Sequence, residues 1–104
     1  MLISTTNEIP GKQVGKSLGI VTGNTIRAKH LGKDIVAGLR QIVGGELKEY
    51  SEMLTEARMQ AIKRMEHNAK DMGADAVIGM RITTAALAQG SAEILAYGTA
   101  VKLR

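Results

Sequence analysis

The sequence predicts an α+β fold of two layers, in which an antiparallel sheet packs on one long helix plus one short helix. Two observations support this prediction. Strand-like alternation of apolar and polar residues occurs before and after a central stretch with helical period. The segment AKDMGADAVIGMRI, residues 69–82, changes from helical to strand period at Gly73. The length of 104 residues predicts a single domain over residues 1–104.

The first third of the chain reads as strands separated by turns. Residues 2–6, LISTT, form the first predicted strand, and the Asn, Pro and Gly of residues 7–11 predict a turn. Residues 12–21 are extended, with Gly residues that indicate bulges or close backbone approach. TGN at 22–24 predicts a second turn, and residues 25–31 alternate like a further strand.

A short helix is predicted within residues 32–45. Asp34 is a favourable N-cap residue, and Gly44 and Gly45 end the helical period. The apolar residues between them recur at helical spacing, which predicts one buried face: Ile35, Val36, Leu39, Ile42 and Val43.

The long helix is predicted over residues 46–72, which contain no Gly or Pro. Gly73 follows directly, where a helix commonly ends in a left-handed residue. One face of the helical wheel carries Leu54, Ala57, Arg58, Ala61, Ile62, Met65, Asn68, Ala69 and Met72. Arg58 lies within this stripe, where it can extend to solvent, bond backbone carbonyls, or pair with an acid such as Asp34 in its own chain or across a subunit boundary.

The end of the chain predicts two more strands, at 76–84 and 92–104, joined by a loop at 85–91. The last strand is apolar on both faces, and one long helix can cover only one of them. Either the short helix or another copy of the chain covers the other. Gly98 and its small neighbours Ala96 and Ala100 suit close approach of another backbone. Two Tyr, no Phe and no Trp leave a core of small side chains, which also favours burial through self-association.

The composition limits location and partners. There is no Cys and no apolar run of membrane-spanning length, and the first residues lack a signal-peptide pattern, so we expect a cytoplasmic protein without a membrane partner. Fourteen Lys and Arg against ten Asp and Glu give a net charge of +4, dispersed apart from the pair Lys63–Arg64. Because stacking aromatics are scarce, the sequence argues against a nucleic-acid interface.

The candidate metal ligands are His30, on a predicted strand, and His67, on the long helix. Heavy metals favour thiolates, which are absent, and this disfavours a site within one chain, although a ring could bring ligands from several subunits together. GKQVGKS at 11–17 resembles a phosphate-binding loop but is one residue short and runs into an extended segment. No catalytic constellation is visible, so the sequence predicts neither an enzyme nor an identifiable cofactor.

A second interpretation rests on basic residues at polar strand positions. Arg27 and Lys29 lie on one predicted strand and Arg81 on another. If the two strands are neighbours, these residues form a small basic patch. The alternative function is therefore a basic oligomeric scaffold that binds anions or nucleic acid.

Four segments in order, GIVTGNTI, KDIVAGLRQIVGGELKEYSEMLTEARMQAI, AKDMGADAVIGMRI and YGTAVKL, resemble the YbjQ family over essentially the whole chain. The resemblance implies a dodecin-like subunit, a ring-like homopentamer and a label of heavy-metal binding. Structural positions within the matching pieces are Gly44, Gly45, Arg58, Gly73 and Gly98. The expected function is a small cytoplasmic oligomeric protein that holds a metal or another small ligand at subunit interfaces.

Overall fold

The computed structural model describes residues 1–27, 47–86 and 92–104. Strands β1 (Leu2–Ile3) and β2 (Val14–Arg27) precede helix α1 (Leu47–Asp71), and strands β3 (Ala76–Ala86) and β4 (Ala92–Leu103) follow it. The strands form one sheet in the order β1-β3-β4-β2, with α1 on one face. The predicted two-layer α+β fold and the long helix are confirmed. The predicted short helix at 32–45, with Asp34, Gly44 and Gly45, lies outside the described residues.

The sheet is mixed rather than purely antiparallel. Strand β4 pairs antiparallel with both β2 and β3, whereas β1 runs parallel to β3 with Leu2 opposite Ala76. The segment after β1 continues along β3, since the Ser4 amide donates to the Val77 carbonyl at 2.9 Å. The chain then crosses to the opposite edge of the sheet to begin β2. This crossing makes β1 parallel, and no local pattern in the sequence specifies it.

The predicted turn at residues 22–24 is wrong, because β2 runs through it without interruption. Thr22, Gly23 and Asn24 pair with Tyr97, Ala96 and Leu95 of β4. Gly23 has a different purpose: a Cβ atom there would lie 2.5 Å from the carbonyl oxygen of Ala61 in α1. The glycine therefore permits close approach of the helix to the strand.

The turn predicted at residues 7–11 is present. The Lys12 amide donates to the Ile9 carbonyl at 3.0 Å, and Gly11 has a φ of 79°. Pro10 followed by a left-handed Gly11 is a residue pair typical of a type II turn. On the other side of the sheet, β3 extends to Ala86, two residues into the predicted loop.

The core lies between α1 and the face of the sheet that it covers. The helix contributes one row of residues spaced by four, all fully buried: Ala57, Ala61, Met65 and Ala69. The sheet contributes Val21, Val77, Ile94, Ala96 and Ala100. Three alanines in the helical row allow the two backbones to pack closely. A row of residues spaced by four is inclined to the helix axis. The buried surface therefore follows this row and does not stay at one angle of the helical wheel.

Gly73 ends α1 as the sequence predicts. Its φ is 83°, its amide donates to Lys70 at 2.9 Å, and the Ala74 amide donates to Ala69 at 3.0 Å. These two hydrogen bonds constitute a Schellman motif, in which the left-handed residue satisfies carbonyls at the helix end. The joint turns the chain directly into β3. Among the described residues, no helix is both long and apolar enough to cross a membrane.

Candidate functional site

The described residues do not build a heavy-metal centre. His67 is exposed on α1, with its Nε2 3.4 Å from Oδ2 of Asp71 one turn later. No group of three or more His, Cys, Asp or Glu side chains is close enough to hold a metal in the described ranges. His30 lies outside them. Two hard or borderline donors do not match the soft ligand set that heavy metals prefer, so this part of one chain does not fit such a metal.

The proposed basic patch requires the two strands that carry its residues to be neighbours in the sheet, and they are not. Strand β4 separates β2, which carries Arg27, from β3, which carries Arg81. Arg27 is opposite Ala92 of β4, whereas Arg81 is opposite Tyr97, five residues farther along. Lys29 lies outside the described residues. The structure therefore does not bring Arg27 and Arg81 together.

Arg81 instead forms a hydrogen bond with the N-terminal segment. Its Nη1 donates to the carbonyl oxygens of Thr5 at 2.9 Å and Met80 at 2.8 Å. The sequence shows a polar position on a strand but does not show which carbonyl groups its side chain reaches.

Arg58 is exposed rather than part of a buried stripe. Its Nη2 donates to Oγ1 of Thr55 at 3.1 Å. Asn68 and Met72, also placed in the predicted stripe, are exposed as well. The helical wheel assigned too many residues to the buried face. The buried row advances four residues at a time and leaves these positions outside it. The predicted pairing with Asp34 falls outside the described residues.

Gly98 is a packing position within this chain. A Cβ atom there would lie 2.7 Å from Cγ1 of Val77 and 3.0 Å from the carbonyl oxygen of Ile78. Gly98, Ala96 and Ala100 are buried on the face that α1 covers. At Gly98, the backbone that comes close is that of β3 in the same chain.

The opposite face of the sheet carries exposed apolar side chains, and we call it the open face. Ile20 is 79% exposed, Ile26 56% and Tyr97 38%. The β2–β4 register places Ile20 and Ile26 on the same face as Tyr97. In the part of the chain that the structure describes, nothing covers these side chains. The prediction that one helix shields only one side of the sheet is confirmed there.

A polar seam joins α1 to the outer strand β2, and sequence reasoning missed it. The seam comprises three helical residues spaced by four: Gln60, Arg64 and Asn68. Oγ1 of Thr25 donates to Oε1 of Gln60 at 2.7 Å. Arg64 Nη1 donates to the Asn24 carbonyl and Asn68 Nδ2 to the Thr22 carbonyl, each at 2.8 Å.

A shallow groove of about 440 Å³ lies beside the seam. Its lining consists of Asn24, Gln60, Lys63, Arg64, His67 and Asn68. The adjacent basic pair Lys63–Arg64 and the four-residue spacing were visible in the sequence. The contact of the seam residues with β2 could not be seen in the sequence, because it depends on where the helix crosses the sheet.

Comparison with known proteins supports the fold and the family over the full length. The family model YbjQ_1, described as "Putative heavy-metal-binding", matches residues 1–104. A UPF0145 protein of Psychromonas ingrahamii is 58% identical over 104 residues, covering 100% of this chain and 99% of its own. A UPF0145 protein of Archaeoglobus fulgidus is also 58% identical, covering 100% and 96%.

Among solved structures, a protein of unknown function from Pediococcus pentosaceus, assigned to the DUF74 family, is similar with a TM-score of 0.66. It is 15% identical, and the match covers 100% of this chain and 98% of that one. At this identity the similarity concerns the fold alone.

Proposed function

The chain belongs to the YbjQ family, and from this premise we propose that it functions as a symmetric homo-oligomer that holds a small ligand between its subunits. The observation that carries the proposal is the open face, where Ile20, Ile26 and Tyr97 are exposed in a chain whose long helix covers the other side. Large apolar side chains exposed on one side of a small domain favour an interaction site there.

The energy available from covering this face is considerable for a small domain. Full burial of a large aliphatic side chain contributes about 1.5–3 kcal/mol. Scaled by their exposed fractions, Ile20 and Ile26 together contribute about 2–4 kcal/mol per subunit on burial. Tyr97 adds a ring whose hydroxyl can hydrogen-bond at an interface. Several such subunits in a closed ring repeat this contribution at every boundary.

The two edges of the sheet differ, and the difference favours assembly through the β3 edge. On the β2 edge, the polar seam occupies the carbonyls of Thr22 and Asn24. On the β3 edge, the N-terminal segment reaches only as far as Met80, whose amide donates to Ser4 at 3.0 Å. From residue 81 to residue 86, no described strand lies beside that edge. An unpaired strand edge next to an apolar face favours contact with a second copy.

Five subunits are the number we propose, following the ring-like pentamer that the family resemblance implies. A ring places equivalent positions of neighbouring subunits at each boundary, so a ligand can receive donors from more than one chain. This arrangement accommodates the family's metal-binding description, which the described part of one chain does not fit by itself. The proposed role is that of a cytoplasmic binding protein rather than an enzyme.

Light scattering after size-exclusion chromatography tests the assembly. We expect a particle of about 55 kDa from an 11.1 kDa chain. Ile20→Glu should dissociate it, because a carboxylate cannot be buried without a partner. Met59→Glu is the matched control, since Met59 is 53% exposed on the helix, away from the sheet. A folded monomer at about 100 μM wild-type protein would exclude the proposal.

The ligand requires a separate measurement on the assembled protein. Chelator-treated oligomer is titrated calorimetrically with Zn²⁺, Ni²⁺ and Cu⁺, and a thermal-shift screen covers nucleotides and small anions. Saturable binding that Ile20→Glu abolishes and Met59→Glu preserves would place the ligand at a subunit boundary. Binding with equal affinity to a dissociated variant would place it within one chain and contradict this part of the proposal.

A further inference from the structure

The groove beside the polar seam carries one sign of charge. Lys63 and Arg64 are cationic, and the other lining residues are His67 and three neutral amides. A larger hollow of about 930 Å³ at the N-terminal loop differs in this respect, because Glu8 lines it together with Lys12 and Arg104. A concave surface lined by positive groups concentrates anions, whereas a mixed lining does not.

The position of Arg64 is already set by the fold. Its Nη1 donates to the Asn24 carbonyl at 2.8 Å, and Asn68 one turn later donates to the Thr22 carbonyl. A guanidinium has five N–H donors, and this contact uses one of them. The others form a planar fork that matches the oxygens of a phosphate. Because the fold holds the group, less side-chain entropy is lost when an anion binds.

The nearby carboxylates have partners of their own. Glu66 lies 3.6 Å from the N-terminal ammonium of Met1 and 3.5 Å from Nζ of Lys70. Glu93 accepts a hydrogen bond from Nδ2 of Asn24 at 2.9 Å, and Asp71 lies beside His67 at 3.4 Å. None of these three acids lines the groove.

We propose that this groove binds a phosphate group. The Arg64 fork and the Lys63 ammonium donate to its oxygens. The volume of about 440 Å³ leaves room for a substituent on the phosphate. The site is built by one chain, on the β2 side of the molecule, so it is independent of the ligand position proposed between subunits.

A titration of isotope-labelled protein with inorganic pyrophosphate tests this inference. Ionic strength is held constant with NaCl, and acetate serves as a charge control. We expect saturation with a Kd of about 1 mM or tighter, with shifts confined to amides that line the groove. Arg64→Ala should weaken binding at least about tenfold, and Arg64→Lys should give an intermediate loss because it keeps the charge without the fork.

Lys63→Ala provides a second test that leaves the hydrogen bonds to β2 intact, with an expected weakening of at least about threefold. Lys12→Ala removes the same charge outside the groove and should change the Kd by less than about twofold. Equal losses in Lys12→Ala and Lys63→Ala, or no saturation by about 20 mM, would overturn the proposal.

A short single-stranded oligonucleotide identifies the source of the phosphate. Pyrophosphate binding without oligonucleotide binding indicates a small phosphorylated molecule. Binding of both, with the same loss in Arg64→Ala, supports phosphate recognition on a nucleic-acid backbone. Binding of the oligonucleotide alone, unaffected by Arg64→Ala, contradicts the groove as the site.

Discussion

Gly23 is the point at which the helix and the sheet are closest, and Gly23→Ala perturbs that contact directly. The new Cβ atom would lie 2.5 Å from the Ala61 carbonyl oxygen and 2.6 Å from Cα of Met65. Both are backbone atoms of α1, so no side-chain rotation relieves the overlap. Ordinary van der Waals contact requires the helix to retreat by about 1 Å.

The energetic consequence follows from the row that packs at this crossing. A gap of about 0.5–1 Å forfeits a quarter to a half of the dispersion energy of each contact that it opens. The row includes fully buried Met65 and three alanines. We therefore expect a loss of about 2–4 kcal/mol in the free energy of unfolding, at the upper end of the range for overpacked cores. For a domain of this size, this lowers Tm by about 10 °C or more.

Gly15→Ala is the matched control, because it adds the same methyl group to the same strand. Its Cβ would lie 2.9 Å from Cγ of Arg104, which belongs to a flexible side chain that can move. We expect a change of less than about 0.5 kcal/mol. Urea denaturation followed by circular dichroism measures both variants. Equal stability of the two variants would refute the account of Gly23 as the close-approach residue.

Three further variants test other contacts of the fold. Gly73→Ala should cost about 1–2 kcal/mol, because the residue has a φ of 83° in the Schellman motif, and thermal denaturation measures it. Met65→Ala should cost about 2–5 kcal/mol in urea denaturation by leaving a cavity under the helix. Arg81→Ala should accelerate hydrogen exchange at Thr6 and Ser4 by releasing the N-terminal segment, whereas Arg58→Ala, which loses one exposed contact, should leave that exchange unchanged.

The sequence predicts those parts of the fold that depend on local chemistry. The helix end at Gly73 is local, because a left-handed residue after an apolar period has few alternatives. The apolar character of both faces of β4 is also local, and it correctly predicts a face that α1 leaves exposed. The parallel pairing of β1 with β3 is not local, since it depends on the path of the chain around the sheet.

Gly23 shows why one residue type supports two opposite predictions. Between Thr and Asn, a glycine is equally compatible with a turn and with close approach of another backbone. The deciding fact is the position of Ala61 and Met65, about forty residues later in the chain. The candidate site was hidden for the same reason. Arg64 looks like a solvated surface residue until β2 places a carbonyl beneath it.

The helix presents successive rows with a four-residue spacing, and each row meets a different environment. The row through Ala61 and Met65 packs in the core, the row through Arg64 engages the edge of β2, and the row through Lys63 and His67 borders the groove. The open face belongs to the other side of the sheet. The proposed assembly surface and the proposed anion site are therefore separate, and substitutions should distinguish them.

This separation gives a reciprocal prediction. Ile20→Glu should dissociate the oligomer while pyrophosphate still binds, because the groove is complete within one chain. Arg64→Ala should lose pyrophosphate binding while the oligomer keeps its mass. If Ile20→Glu also abolished pyrophosphate binding in a folded monomer, the groove would need a second subunit. The helix would then contribute to the interface, and the assignment of the β2 edge as a surface outside the assembly would be wrong.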